Sequence, residues 1–385
     1  MGTDRRSSKP PRVAVVAAGA GARGAYEAGA LSVLIPWLDA RGLRPSVFVG
    51  TSAGAINAGL LAATANLPAD QSAQALVNFW SGVRVEDVFR APLRSGPGTA
   101  LRYLGQIAGL PGSGVTSLLD NAPLAAFARA TFEPYGPLLR ENVADGTVVA
   151  LALAATDGAE RTTMFCDLAP GVALPQTSSG RAIDYRAAAI TDRHVLASSA
   201  IPALFEPVEL DGEWFTDGGV RLNVPLSPAV KFDPTHVVVV ATHPATYPDA
   251  APGPSRRPDV VDSAAAVLSS ALADRMVEDL LTFDKLNRVA ASAPDDDEVR
   301  RIKRLFVGPD TRHQLGELAA ARFPEREGGA FDALGVIHRL LGPSEPGAGE
   351  ILSYLFFDPG FATAAIDLGR DHAQRQVAAA EPWIW

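Results

Sequence analysis

A chain that contains Val47-Phe48-Val49-Gly50-Thr51-Ser52-Ala53-Gly54-Ala55-Ile56-Asn57-Ala58 has few folds open to it. Val47, Phe48 and Val49 are strand formers, residues 55–58 read as helix, and only a tight turn separates the two. The result is strand, turn, helix, with a serine at the turn and glycines at 50 and 54, the G-x-S-x-G elbow in the context it requires. Such a turn strains the serine backbone and lifts its hydroxyl clear of the sheet edge. The small neighbours Gly50, Thr51, Ala53 and Gly54 let strand and helix come close, and the helix N-terminus favours negative charge at the serine. By itself the pentapeptide is also an ordinary small-residue turn in a chain rich in Gly, Ala and Ser, so its surroundings must decide.

Upstream, Arg12 to Ala18 (RVAVVAA) is an apolar, β-branched run suited to a central parallel strand. It leads into Gly19-Ala20-Gly21-Ala22-Arg23-Gly24 and then a helix with Tyr26, Ala30, Leu31, Leu34 and Leu38 at helical spacing. This matches G-x-G-x-x-G, so a nucleotide-binding protein using residues 19–24 for a pyrophosphate is one reading. A dinucleotide site wants an acidic residue at the end of the second strand. Here Asp39 closes the helix instead, and the second strand ends in the serine elbow. The other reading is a loop of backbone N–H groups facing a developing oxyanion, with Ala20, Gly21 and the Arg23 region as donors. Arg23 itself stands either beside that loop or as a clamp on neighbouring carbonyls.

Composition narrows the classes. Of 385 residues 47% are hydrophobic and 20% charged, which permits a large core and is not a disordered composition. A formal charge of −9 argues against nucleic acid as a partner. The lone Cys166 excludes an intrachain disulfide and suits a reducing compartment, so the expectation is cytoplasmic. Residues 1–11 read as a polar, disordered tail. The Val13–Ala22 run behind Arg5 and Arg6 faintly resembles an export signal, but it opens on strand formers and ends at Arg23, as a buried strand does. No charge-free apolar stretch reaches 18 residues, so no transmembrane helix is expected.

Further along, Ala69 to Trp80 has one apolar helical face. Residues 85–119 are rich in Gly, Pro and Ser, with a short amphipathic helix at 101–110, either a lid or a surface excursion. Asn121 to Thr131 reads as helix. Thr147 to Ala155 is a third apolar strand, returned by Arg161 to Cys166 as a hairpin. Asp157 between them is foremost a turn residue. Asp192 to Phe205 reads as a helix stopped by Pro202. It carries His194, a triad candidate set on a helix rather than a loop and upstream of the best acid, and therefore better read as a cap or surface residue. Glu206–Leu210 and Glu213–Thr216 form a hairpin that ends in an exposed turn, Asp217-Gly218-Gly219. A carboxylate there can meet a serine from another strand. Thr235 to Thr242 is another buried strand. Residues 246–262 read as a linker or long loop, and 263–385 as a helical region packed on the rest, with a late strand near Arg300–Gly308. The histidines show no metal-ligand spacing, and no metal or other cofactor is expected.

Three pieces stand in order: GAGARG at 19–24, GTSAG at 50–54 and DGG at 217–219. With AYEAGAL after the first, ASSAIP before the third and NVP after it, residues 12–245 resemble the patatin-like phospholipase family. The resemblance implies a three-layer α/β/α fold with a mostly parallel sheet. It also implies a serine–aspartate dyad without a catalytic histidine: Ser52 as nucleophile, Asp217 as base, and Gly19, Ala20, Gly21, Ala22, Arg23 and Gly24 as the oxyanion loop. Many members have an unbroken glycine run in that loop. Ala20 interrupts it here, and a positive φ would cost more at Ala20 than at glycine. Apolar Trp214 and Phe215 next to Asp217 are expected to raise its pKa. The implied activity is hydrolysis of lipid esters through an acyl-enzyme. A small-ester carboxylesterase with the same dyad and a non-catalytic member of the family are the alternatives. Any transient contact with a membrane surface would rest on a local patch near residues 90–119 rather than on bulk charge.

Overall fold

The computed structural model describes residues 11–90, 117, 119, 122–246, 257, 260–292, 301–326, 334–335, 338–339 and 346–384. The expected amphipathic helix at 101–110 and most of the patch at 90–119 lie outside them.

Among the described residues nine strands form one sheet. In chain order they are β1 Val13–Ala17, β2 Pro45–Thr51, β3 Ala150–Asp157, β4 Thr162–Leu168, β5 Ile183–Ala187, β6 Val208–Leu210, β7 Glu213–Asp217, β8 His236–Val240 and β9 Lys303–Val307. The spatial order is β5-β4-β3-β2-β1-β8-β9, with the β6–β7 hairpin added at β3. The run β3-β2-β1-β8-β9 is parallel throughout, β4 pairs with β5 in parallel, and β3 meets β4 and β7 antiparallel.

The central strands read as unbroken apolar runs because both sheet faces are covered. Val13 and Val15 of β1, Phe48 of β2 and Leu151 and Leu153 of β3 face one core. Ala14 and Val16, Val47 and Val49, and Ala150 and Ala152 alternate into the other. The first face is covered by α1 Gly24–Asp39, α2 Ala53–Ala63, α3 Ala69–Gly82, α4 Ala122–Phe132, α5 Gly136–Ala144 and α6 Asp192–Ser198. The second is covered by the short helices Gly219–Leu222 and Leu226–Val230 and by Met276, Leu280 and Phe283 of α7 Val260–Ser292. This is the expected three-layer α/β/α arrangement. The C-terminal part is mainly helical, with α8 Gln314–Arg322, α9 Pro346–Leu355 and α10 Pro359–Ala378, but it also supplies β9, the edge strand beside β8. α10 crosses α1 where Gly29 and Gly369 let the backbones approach, and Tyr26 Oη meets His372 Nδ1 at 2.7 Å.

Two local expectations need correcting. The helix read over 192–205 ends at Ser198, because the following residues are drawn into other bonds: the Ala200 carbonyl accepts from the Asp217 N–H at 2.8 Å. The turn at 217–219 is buried rather than exposed, with Asp217 only 5% accessible.

Candidate active site

The sheet register brings Ser52 and Asp217 together. Along one edge of β3 runs β4, whose residues pair with Ala150 through Thr156. On the other edge lies β2, paired with β3 as far as Thr51 opposite Ala154. β7 enters from the opposite direction, pairing with the same part of β3 that β4 covers, so it lies on β2's side and ends with Asp217 opposite Ala155. β2 and β7 therefore meet head to head along one edge, and their ends carry the serine and the carboxylate.

Ser52 leaves β2 with φ 56° and ψ −124°, a conformation that only glycine enters without strain. Several contacts hold it there. Its N–H donates to Ser198 Oγ at 2.9 Å, and the Ser198 hydroxyl donates to the Ala154 carbonyl at 2.6 Å. Thr51 Oγ1 donates to the Leu222 carbonyl at 2.9 Å. Gly54, in the first turn of α2, lies so close to the carbonyls of Ala17 and Ala18 that a Cβ would overlap them. The elbow thus fastens α2 to the end of β1 as well as to β2.

The Asp217 carboxylate accepts from the Gly219 N–H at 2.6 Å. Its backbone is fixed by the Thr156 hydroxyl, which donates to the Asp217 carbonyl at 3.0 Å. Burial pushes its pKa up to about 6, against the opposing pull of Ser52 and the Gly219 N–H. Trp214 does not take part in this burial. Residues alternate along β7, so Phe215 is fully buried on Asp217's face while Trp214 points outward, 58% exposed.

The 19–24 loop lies against the serine: a Cβ on Gly19 would stand 3.4 Å from that of Ser52. The Gly19 N–H donates to the Asn223 carbonyl at 2.9 Å and the Arg23 N–H to the Ala20 carbonyl at 3.0 Å, while the Gly24 N–H folds back on Gly21 and Ala22. Among the described residues, Ala20, Gly21 and Ala22 are the loop positions whose N–H groups are not taken by backbone carbonyls. The positive φ falls on Gly21, at 53°, whereas Ala20 has φ −145°, so the alanine is not asked for a glycine conformation. A Cβ at Gly21 would overlap the Tyr354 carbonyl of α9.

Arg23 is a clamp. It is fully buried and pairs with Glu350 at 2.6 Å. It also donates to Ser353 Oγ at 2.8 Å and Tyr354 Oη at 3.0 Å, and its guanidinium lies 3.9 Å from the Tyr354 ring centroid. Burial works to raise the Glu350 carboxyl, but Arg23, together with His313 and His243, outweighs it and holds the pKa at about 2. Beneath the loop a second buried network links the end of β1 to α2 and α3. Glu27 accepts from the Ala18 N–H and from Asn57 Nδ2, each at 2.9 Å, and Trp80 Nε1 donates to Asn57 Oδ1 at 2.7 Å.

The remaining candidates are structural. His194 sits in the first turn of α6, where its Nδ1 meets Thr191 Oγ1 at 3.0 Å and its ring packs edge-on against Phe165. Asp157 Oδ1 accepts from the N–H groups of Ala159 and Arg161, each at 2.9 Å, and so builds its turn. Cys166 is buried in β4, its thiol pushed up to about 12 by burial. Sequence reasoning did not single out Ser198, Asn223, Glu27 or Asn57. The first three lie within the ASSAIP, NVP and AYEAGAL stretches quoted for the family resemblance, which were the available signal.

Among the described residues two cavities open at Ser52. One is lined by Phe79, Trp80, Phe127, Phe132, Leu196 and other apolar groups. The other includes Asp217, Asn223 and residues of α7 and α9.

Residues 15–230, just over half of the chain, match the family model described as patatin-like phospholipase. No curated protein matches. Among solved structures the chain is similar to VipD from Legionella pneumophila at 14% identity and a TM-score of 0.35, over 95% of this chain and 66% of that one.

Proposed function

Because the chain belongs to the patatin-like phospholipase family, a family of lipid acyl hydrolases, we propose that it cleaves lipid esters with Ser52 as nucleophile and Asp217 as its base. The observation that carries this reading is the head-to-head meeting of β2 and β7 on one edge of β3, which sets a strained serine beside a buried carboxylate.

In this mechanism Asp217 accepts the Ser52 proton as the hydroxyl attacks the ester carbonyl. The N–H groups of Ala20, Gly21 and Ala22 donate to the oxyanion, an effect worth about 2.7–4 kcal/mol for a single donor. The tetrahedral species collapses to an acyl-enzyme as the alcohol oxygen leaves with the proton held by Asp217. Water then gives a proton to the same carboxylate and attacks the acyl-enzyme, and Asp217 returns that proton to Ser52 Oγ as the acyl–Oγ bond breaks and the fatty acid leaves. A carboxylate is a weak base toward serine, and the lift of Asp217 to about 6 narrows that gap while leaving the group ionised at neutral pH.

The apolar lining of the first cavity, with Phe79, Trp80, Phe127 and Phe132, favours a hydrocarbon acyl chain over the small-ester alternative. The nucleotide-binding alternative is disfavoured because the 19–24 loop faces Ser52 and is packed against α9. Transient contact with a lipid surface belongs to the proposal, since substrate with such a chain resides there. So does a cytoplasmic setting, suggested by the single reduced cysteine; cell fractionation tests it. No single helix among the described residues is long and apolar enough to cross a membrane.

The test is hydrolysis of p-nitrophenyl butyrate and palmitate by wild type, Ser52→Ala and Asp217→Asn, with fluorophosphonate labelling alongside. Loss of activity in both variants and label confined to Ser52 are expected. An active Asp217→Asn would remove the dyad, and a folded wild type that neither labels nor turns over would remove the hydrolase reading.

A further inference from the structure

Ser52 lies between two apolar cavities, not at the closed end of one. The first cavity is walled by the helices on the first face of the sheet and by loops beside them. The second starts at the same serine but runs past Asp217, and its far wall belongs to the C-terminal part: Leu268 and Leu272 of α7, Ile351 and Leu355 of α9. Proton transfer decides which half of the ester each receives. The Ser52 Oγ–acyl bond forms as the bond from the acyl carbon to the alcohol oxygen breaks. The proton that Asp217 took from Ser52 must go to that departing oxygen, so the alcohol half lies on Asp217's side and the acyl chain in the other cavity.

An alcohol half in the second cavity meets almost no polar groups. Among the described residues that line it, Asp217 and Tyr354 are the only ionisable side chains, and none is a lysine or arginine that could receive a phosphate. Leu268, Leu272 and Ile351 are only partly buried by the protein itself, so they retain apolar surface to cover. We propose that this second cavity holds a hydrocarbon chain on the alcohol side of the ester. The substrate is then a lipid with two apolar arms straddling the scissile bond, and Leu268 and Ile351 are specificity-determining residues. The inference rests on the acyl-hydrolase reading and adds the class of alcohol to it.

The experiment compares kcat/KM for methyl octanoate and octyl octanoate, which share the acyl half. It does the same for 1-monooctanoylglycerol and 1,2-dioctanoylglycerol, which place the second chain on a glycerol carbon. One methylene in an apolar site discriminates by roughly 10–200-fold, so a chain held in the cavity should favour the two-armed ester of at least one pair by about tenfold or more. In Leu268→Trp and Ile351→Trp, which fill the cavity, that ratio should fall toward one. Leu268→Ala, which enlarges it, should move the preference to a longer alcohol, and it keeps the test open should the tryptophan variants not fold. A wild-type ratio near one for both pairs would overturn the proposal while leaving the hydrolase reading in place. So would a ratio that survives both tryptophan substitutions in folded protein. No turnover of these esters by wild type that cleaves p-nitrophenyl palmitate would overturn this inference alone. Folded wild type that cleaves neither set and takes no fluorophosphonate label would remove the hydrolase reading and this inference with it.

Discussion

Replacing Asp217 by asparagine removes a buried charge while keeping the shape that fills its site. The wild-type carboxyl is 5% exposed, and burial raises it from 3.8 to about 6. The folded chain therefore binds this proton more tightly than the unfolded chain does. The resulting stabilisation is complete below about pH 3.8 and is lost as the pH rises through 6. At about 1.36 kcal/mol per pH unit, the full difference is about 3 kcal/mol. Asparagine cannot ionise, so Asp217→Asn should exceed the wild type in stability by up to about 3 kcal/mol at pH 8 and by about 0.5 kcal/mol at pH 4. Loss of the charged acceptor for the Gly219 N–H reduces the gain, but not its dependence on pH. Urea denaturation of both proteins at pH 4, 6 and 8, extrapolated to water, measures the difference. A difference that stays constant with pH, or that shrinks on going from pH 4 to 8, would refute the reasoning.

Other outcomes follow from the same geometry. The kcat/KM of the wild type should rise with pH through about 6 and then level off, since the base works ionised; a flat profile between pH 5 and 8 would contradict that assignment. Arg23→Ala strands the carboxylate of Glu350, 3% exposed, and should cost about 3–5 kcal/mol in chemical denaturation; a loss below about 1 kcal/mol would show the clamp to be dispensable. Ser198→Ala takes away the acceptor for the Ser52 N–H and should lower kcat about tenfold with little change in KM, a split that steady-state kinetics reads directly. Ser52→Gly should melt at a higher temperature than Ser52→Ala, by the equivalent of about 1 kcal/mol, because φ 56° strains any residue with a Cβ.

Much of the fold was legible because its strands are buried on both faces. Runs such as Val13–Ala17 and the four valines at 237–240 have no polar side to disguise them. The serine elbow was legible because its chemistry is local: strand, turn and helix all lie within thirteen residues of chain. What escaped was set by distant partners. Asp217-Gly218-Gly219 reads as an exposed turn until β3 and α7 cover it. Trp214 and Phe215 look equivalent until strand alternation sends one outward. The helix at 192–205 has no internal reason to stop at Ser198. It stops because Ser198 and Ala200 are bonded to Ser52, Ala154 and Asp217. Arg23 admitted two readings because the groups that decide between them lie on α9, far along the chain.

That separation has a consequence in time. Arg23 sits at the rim of the 19–24 loop, yet its partner carbonyl on Glu350 is 327 residues away. At roughly 5–20 residues per second, a ribosome needs on the order of 16–65 s between the two. Through that interval the guanidinium has no buried partner and Gly21 has no Tyr354 carbonyl to rest against. The nascent chain can assemble serine, carboxylate and sheet while the loop beside them still lacks its brace. The shape of the 19–24 loop is thus completed late, by residues of α9 synthesised 327 positions after Arg23.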